Sequence, residues 1–169
     1  QATAYSTFVE DYIDAVNCAS VGKVCPARTD KFVNLSFANQ SARIAGLDLS
    51  GYRMLAQTPS WGSFTLTGLL SALKGKNATT DDTLYNTMPL NAKLALVQRV
   101  GGWSNTLEAQ WVDAKSDVSK VRNETKTEAY ALLNLRSSYE WKQARFDIGV
   151  ENALDRFYTP PLGGAYVGQ

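Results

Sequence analysis

The chain has 169 residues, with 17 Lys and Arg against 16 Asp and Glu, no His, two Cys and 44% hydrophobic residues, enough for one domain or one piece of a larger one. A formal charge of +1, with both signs mixed along the chain, leaves no basic stripe for a phosphate backbone and sets nucleic acid aside as a partner. Without His, triad and zinc schemes lack their commonest base and ligand, so no enzyme and no cofactor is expected.

No apolar run is long enough for a membrane helix, but strands of a membrane barrel alternate and escape a hydropathy window. The chain opens at Gln1 without Met, a charged stretch or an apolar stretch, and residues 4–16 read as structure rather than as a leader.

Alternation by two recurs almost everywhere, which predicts an all-β chain of about seven strands at 4–16, 32–55, 62–75, 90–100, 103–118, 128–142 and 145–158. In the second, Gly46 and Gly51 are candidate bulges or bends. A turn around Gln57 to Ser60 precedes the third, in which Phe64, Leu66 and Leu70 oppose Ser63, Thr65 and Thr67. In the fourth and fifth, Leu90, Ala92, Leu94 and Leu96 share a face, as do Trp103, Leu107, Ala109 and Trp111. Gly101 and Gly102 form the short turn between them.

The sixth strand is the clearest case: Ala131, Leu133, Leu135, Tyr139 and Trp141 lie opposite Asn134, Arg136, Ser138, Glu140 and Lys142. In the seventh, Phe146, Ile148, Val150 and Leu154 oppose Arg145, Asp147, Glu151 and Asp155, after a hairpin turn at Gln143 and Ala144. Short turns near 57–61, 101–102 and 143–144 alternate with longer loops near 17–31, 76–89, 119–127 and 159–169, the pattern of an antiparallel up-and-down meander.

A soluble sheet with one solvated face and a membrane barrel both produce this period. Three features favour the barrel. Tyr52, Trp61, Trp103, Tyr139 and Trp141 lie near the short turns, where a membrane-interface girdle would sit. Trp103 and Trp111 share parity at a spacing worth roughly 20 Å of height in a tilted strand, close to the apolar band of roughly 25 Å in outer-membrane barrels. The polar face also carries charged and amide groups through the strand centres, as a hydrated lumen requires.

Three stretches carry a family resemblance: NQSARIAGLDLSGYRM at 39–54, MPLNAKLAL at 88–96 and GVENALDRFY at 149–158. In that order and spacing they resemble the C-terminal part of the 22-stranded barrel of TonB-dependent outer-membrane receptors. The resemblance implies a Gram-negative outer-membrane location and active uptake of a scarce ligand such as a siderophore or metal complex. The implied partners are outer-membrane lipid, the remainder of the barrel, its plug and, through an N-terminal region, TonB. Residues 1–169 hold no plug, no TonB-contact segment and no aromatic-ended last strand, so a partial barrel domain is expected. The tail DRFYTPPLGGAYVG at 155–168 resembles the copper-uptake subgroup.

An exported chain meets an oxidising compartment, and Cys18 and Cys25 in CASVGKVC then read as a local disulfide worth about 2–3 kcal/mol. A soft-metal thiolate pair is the rival, without a nearby third ligand. Arg43, Lys93, Arg99, Arg136, Lys142 and Arg145 are assigned to the polar face with Glu108, Glu140 and Glu151, as wall-stiffening ion pairs rather than an anion path. Four Asn-x-Ser/Thr matches, at Asn34, Asn39, Asn77 and Asn123, are chance matches in a bacterial outer-membrane protein. A passive channel or adhesin barrel, and a soluble all-β binding module, are the alternatives; a phospholipase would need a base for its Ser.

Overall fold

A computed structural model describes residues 1–22, 24–25 and 34–163. The described residues form seven strands: β1 (Ala2–Asn17), β2 (Leu35–Thr58), β3 (Gly62–Asn77), β4 (Asn91–Val100), β5 (Trp103–Val112), β6 (Tyr130–Trp141) and β7 (Ala144–Val150). They make one sheet in the order β1-β2-β3-β4-β5-β6-β7, each antiparallel to the next. The sheet is open, with β1 and β7 at its edges.

Turn chemistry sets the register. Pro59 fits the second position of the turn after β2, where its fixed φ is already suited, and the Trp61 amide donates to Thr58 Oγ1 at 3.1 Å. Gly62 follows with φ +72°, and a Cβ there would stand 1.9 Å from the Arg99 carbonyl oxygen. Between β4 and β5, Gly101 at φ +57° and Gly102 close a two-residue hairpin. Two register shifts occur, between Val9 and Tyr12 and between Met54 and Ala56. Neither falls at Gly46 or Gly51, which correct the expected bulge positions: both pair in register, with Leu73 and Gly68. The room above Gly46 is filled by the Tyr5 ring.

Across the sheet, Leu49, Leu70, Ala92, Trp111 and Ala131 align, as do Leu96, Leu107 and Leu135. One face is therefore a continuous apolar surface, with Leu94 and Ile148 exposed on it. The opposite face carries Asp48, Ser71, Lys93, Glu108, Asn134 and Arg136. Polar pairs knit it: Ser71 Oγ donates to Asp48 at 2.6 Å and Asn134 Nδ2 to Glu108 at 2.9 Å.

Strand lengths differ in a directed way. β4 pairs only with Ser63–Ser71 of β3, so the rest of β3 and its β2 partners extend beyond β4 on the long-loop side. A tilted strand crosses a bilayer in about 9–11 residues; β4 and β5 have 10 each, whereas β2 has 24.

The strand expected over 145–158 stops at Val150. Asn152 and Asp155 adopt φ 51° and 50°, a conformation Asn and Asp tolerate, which ends the extended chain. Asn152 then closes a turn, accepting from the Arg156 amide and donating to the Arg156 carbonyl, both at 2.9 Å. Leu154 and Asp155 are thus off the sheet.

Candidate ligand mouth

Long-loop segments fold over the polar face. Val112, Tyr130 and Leu132 form the buried cluster there, capped by Met88 and Tyr158, and the Tyr130 and Tyr158 rings stand 4.4 Å apart. Leu84, from the β3–β4 loop (78–90), packs over Gly75, where a Cβ would meet it at 3.0 Å. Apolar contacts of this kind seat the loops; buried polar groups then fix their positions.

Asn77, at the end of β3, is 1% exposed and joins three elements. Its Nδ2 donates to Asp14 of β1 at 2.9 Å and to Gln40 of β2, while its Oδ1 accepts the amides of Thr79 and Thr80 at 3.0 Å. Asp14 in turn pairs with Arg122 of the β5–β6 loop (113–129) at 3.5 Å, and the Arg122 guanidinium lies 4.8 Å from the Tyr85 ring centroid.

A second knot is the buried pair Lys115–Glu124, at 2.5 Å with side chains 2% and 7% exposed. Lys115 Nζ also donates to the Pro161 carbonyl at 3.0 Å, and Glu124 accepts the amides of Asn86 at 2.9 Å and Ser119 at 2.8 Å. One carboxylate thereby ties the 78–90 and 113–129 loops together, and its lysine reaches the segment after β7. Buried charge is tolerated because these oxygens and protons have partners.

Asp82 makes the third contact between the loops. Its carboxylate accepts from the Lys120 amide at 3.0 Å, the Val121 amide at 3.1 Å and Ser119 Oγ at 3.0 Å. Burial pushes its pKa up, but these bonds and one from the Thr83 amide outweigh it and hold the carboxyl below its ordinary value, since each favours the ionised form.

The aromatics predicted for the membrane interface separate into groups. Trp61 occupies the β2–β3 turn, Trp103 and Tyr139 are cross-strand partners with ring centroids 4.8 Å apart, and Trp141 is on the same hairpin end, 63% exposed. Trp111 lies on the same face near the other end of β5. Tyr52 pairs with Thr67 and by parity with Ser50 stands on the polar face, away from the others.

Arg43 also departs from its assignment. It shares parity with Ala45, Leu47 and Leu49, so it projects from the apolar face, with its guanidinium 5.7 Å from the Phe8 ring centroid. Arg136 does belong to the polar wall, 3.3 Å from Glu151 and 3.9 Å from Glu108. Cys18 and Cys25 are joined in a disulfide, beside a short 3-10 turn at Cys18–Val21 whose Ala19 amide is capped by Asn17 Oδ1 at 3.1 Å. The rest of that loop, at 26–33, and the tail from 164 on lie outside the described residues. Among the described residues no group of three or more His, Cys, Asp or Glu could hold a metal ion.

The sequence reading missed Asp14, Asn77, Asp82, Lys115, Arg122 and Glu124. Their partners lie up to 108 positions away, and loops carry no period to reveal them. Adjacent Asn-Ala-Thr-Thr at 77–80 was the one local signal, since an Asn followed by free amides suits a side-chain-capped turn.

An antiparallel meander with one apolar outer face, one polar face and long loops packed over the polar side at one end is the wall of a transmembrane β-barrel. Residues 1–153 match the family model for the TonB dependent receptor-like β-barrel, and the chain belongs to that family. Its fold is similar to that of a solved structure titled copper transporter OprC, with TM-score 0.76 and 23% identity over 95% of this chain and 24% of that one. The chain thus spans about a quarter of that structure's length. No curated protein matches it.

Proposed function

We propose that this chain supplies part of the wall and the extracellular mouth of an outer-membrane receptor that imports a scarce ligand with energy delivered through TonB. One observation carries the reading beyond family membership. The 78–90 and 113–129 loops are tied to each other and to β1 and β3 by buried polar groups, notably Glu124 and Asn77. Such a preorganised rim loses little entropy when a ligand seats on it.

For the cargo we propose a metal complex, and copper within that class. Support comes from the tail DRFYTPPLGG at 155–164 and from the name of the structural neighbour, not from a ligand set on the described residues. Membrane lipid around the apolar face, a plug inside the polar face, and the rest of the barrel beyond β1 and β7 are the partners this arrangement needs, because unpaired strand edges do not persist in hydrocarbon.

Uptake of labelled copper and of a labelled ferric siderophore by cells producing the full receptor, with and without functional TonB, tests both steps. Copper accumulation that disappears without TonB is expected. TonB-independent uptake of both would point to the passive-channel alternative, and TonB-dependent uptake of the siderophore alone would overturn the copper assignment.

A further inference from the structure

Two features on the outward face of β2 and β3 lie in line along the strands. At the long-loop end, Arg43, Lys74 and Lys76 surround an outward cavity of about 470 Å3, completed by Ala45, Thr83 and Asp117. Arg43 and Lys76 are register partners, and Lys74 pairs with Ala45. Lys76 is bonded to Asp81, whereas no carboxylate among the described residues pairs with Arg43 or Lys74. Three cations therefore face two carboxylates, Asp81 and Asp117, with the excess positive.

Down the same strand pair, Gly51 and Gly68 are cross-strand partners and leave an apolar groove of about 470 Å3 between Leu49, Leu70, Leu94 and Trp111. From Lys74 to Gly68 the strand runs about 20 Å, or about 15 Å of height at the usual barrel tilt, which is half of a hydrocarbon core of about 30 Å. Lys74 itself stands about 40 Å of strand from Gly62 at the short turn, hence about 30 Å of height. That puts the cations at the far headgroup level, where the long loops mark the outer leaflet.

We propose that this strip is a binding site for one phosphate-bearing lipid of the outer leaflet, its headgroup phosphate held by Arg43 and Lys74 and an acyl chain lying in the Gly51–Gly68 groove. The inference rests on the outer-membrane reading but not on TonB or on the cargo. Charge complementarity and the match between cation height and leaflet thickness select a lipid over a protein partner: the cations stand at the headgroup level, and the groove, which crosses the sheet from β2 to β6, opens about 15 Å deeper, within reach of an acyl chain. A cation near an anionic surface is worth roughly a fivefold change in affinity, so removing two predicts about a 30-fold loss.

The test is the purified full receptor in phosphatidylcholine nanodiscs with and without phosphatidic acid, with retained lipid read by native mass spectrometry after extraction. Arg43→Gln/Lys74→Gln is expected to lose bound phosphatidic acid, Arg43→Lys/Lys74→Arg to keep it, and Lys93→Gln, on the polar face, to leave it unchanged. Gly68→Leu, which fills the groove and keeps the cations, is expected to weaken retention as well. Equal retention by wild type and the double Gln variant overturns the site, as does an equal loss in Lys93→Gln. Displacement of the lipid by inorganic phosphate would reassign it as a free-anion site.

Discussion

Glu124 shows how much one side chain organises at the mouth. It accepts from Lys115, Asn86 and Ser119, so Gln in its place leaves a buried ammonium without its counter-charge and keeps only one of the two accepting oxygens. Losing one partner of a buried pair costs about 3–5 kcal/mol. Glu124→Gln is expected to open the 78–90 and 113–129 loops to limited proteolysis while the heat-modified gel mobility of the barrel stays as in the wild type. Lys115→Met/Glu124→Gln, which removes both charges and keeps an accepting oxygen at 124, is expected to recover most of the protection; equal cleavage of the single variant and wild type would show that the pair does not hold the loops. Asp82 acts in the same place with a pH signature. Its carboxyl is held below the ordinary value of 3.8, so its contribution is complete above that value and is lost as pH falls through the lower, folded one. A spin label at the exposed Asn123 should keep its mobility from neutral pH to about pH 5 and loosen only below about pH 4. Loosening already at pH 6 would contradict this assignment.

Elements were legible where a period or a turn residue encoded them. Alternation placed all seven strands, and Pro59, Gly101 and Gly102 placed two of the hairpins. Errors came where a local feature interrupts the period without changing composition. Asn152 and Asp155 turn the chain out of β7 while Phe146 to Leu154 still reads as alternating. Arg43 was counted on the polar face and Tyr52 as an interface aromatic near the β2–β3 turn, whereas register with Leu47 and Ser50 decides their faces. Gly62 is the turn position whose replacement tells most. An L-residue at its φ of +72° costs about 1–2 kcal/mol, and a Cβ would meet the Arg99 carbonyl, which the β3–β4 ladder holds in place. Gly62→Ala should lower the urea midpoint of the full receptor, whereas Gly51→Ala, with nothing within 4 Å of an added Cβ, should leave it nearly unchanged. Equal midpoints for the two variants would refute the crowding at Gly62.

For the whole molecule, the sheet answers a question the strand pattern left open. A soluble sandwich would cover its apolar face with a second layer, and here that face is exposed from β2 to β7, with Leu94, Leu107, Leu135 and Ile148 all open. The loops instead pack over the polar side, as they do when that side is a lumen closed by its own mouth. With free edges at β1 and β7, the described sheet is an open part of such a barrel wall. The mouth was least legible, because its contacts join residues such as Asn86 and Glu124 across loops in which only folding creates the neighbourhood.

Opposite faces for lipid and water are the centre of this account, and β4 is the strand on which to measure them. Spin labels placed one at a time from Ala92 to Val97 in the full receptor, reconstituted in lipid, report collision with oxygen, which concentrates in hydrocarbon, and with a water-soluble nickel complex. Oxygen maxima at Ala92, Leu94 and Leu96 with nickel maxima at Lys93, Ala95 and Val97 are the predicted result. Nickel maxima at the leucines, or no alternation at all, would contradict it.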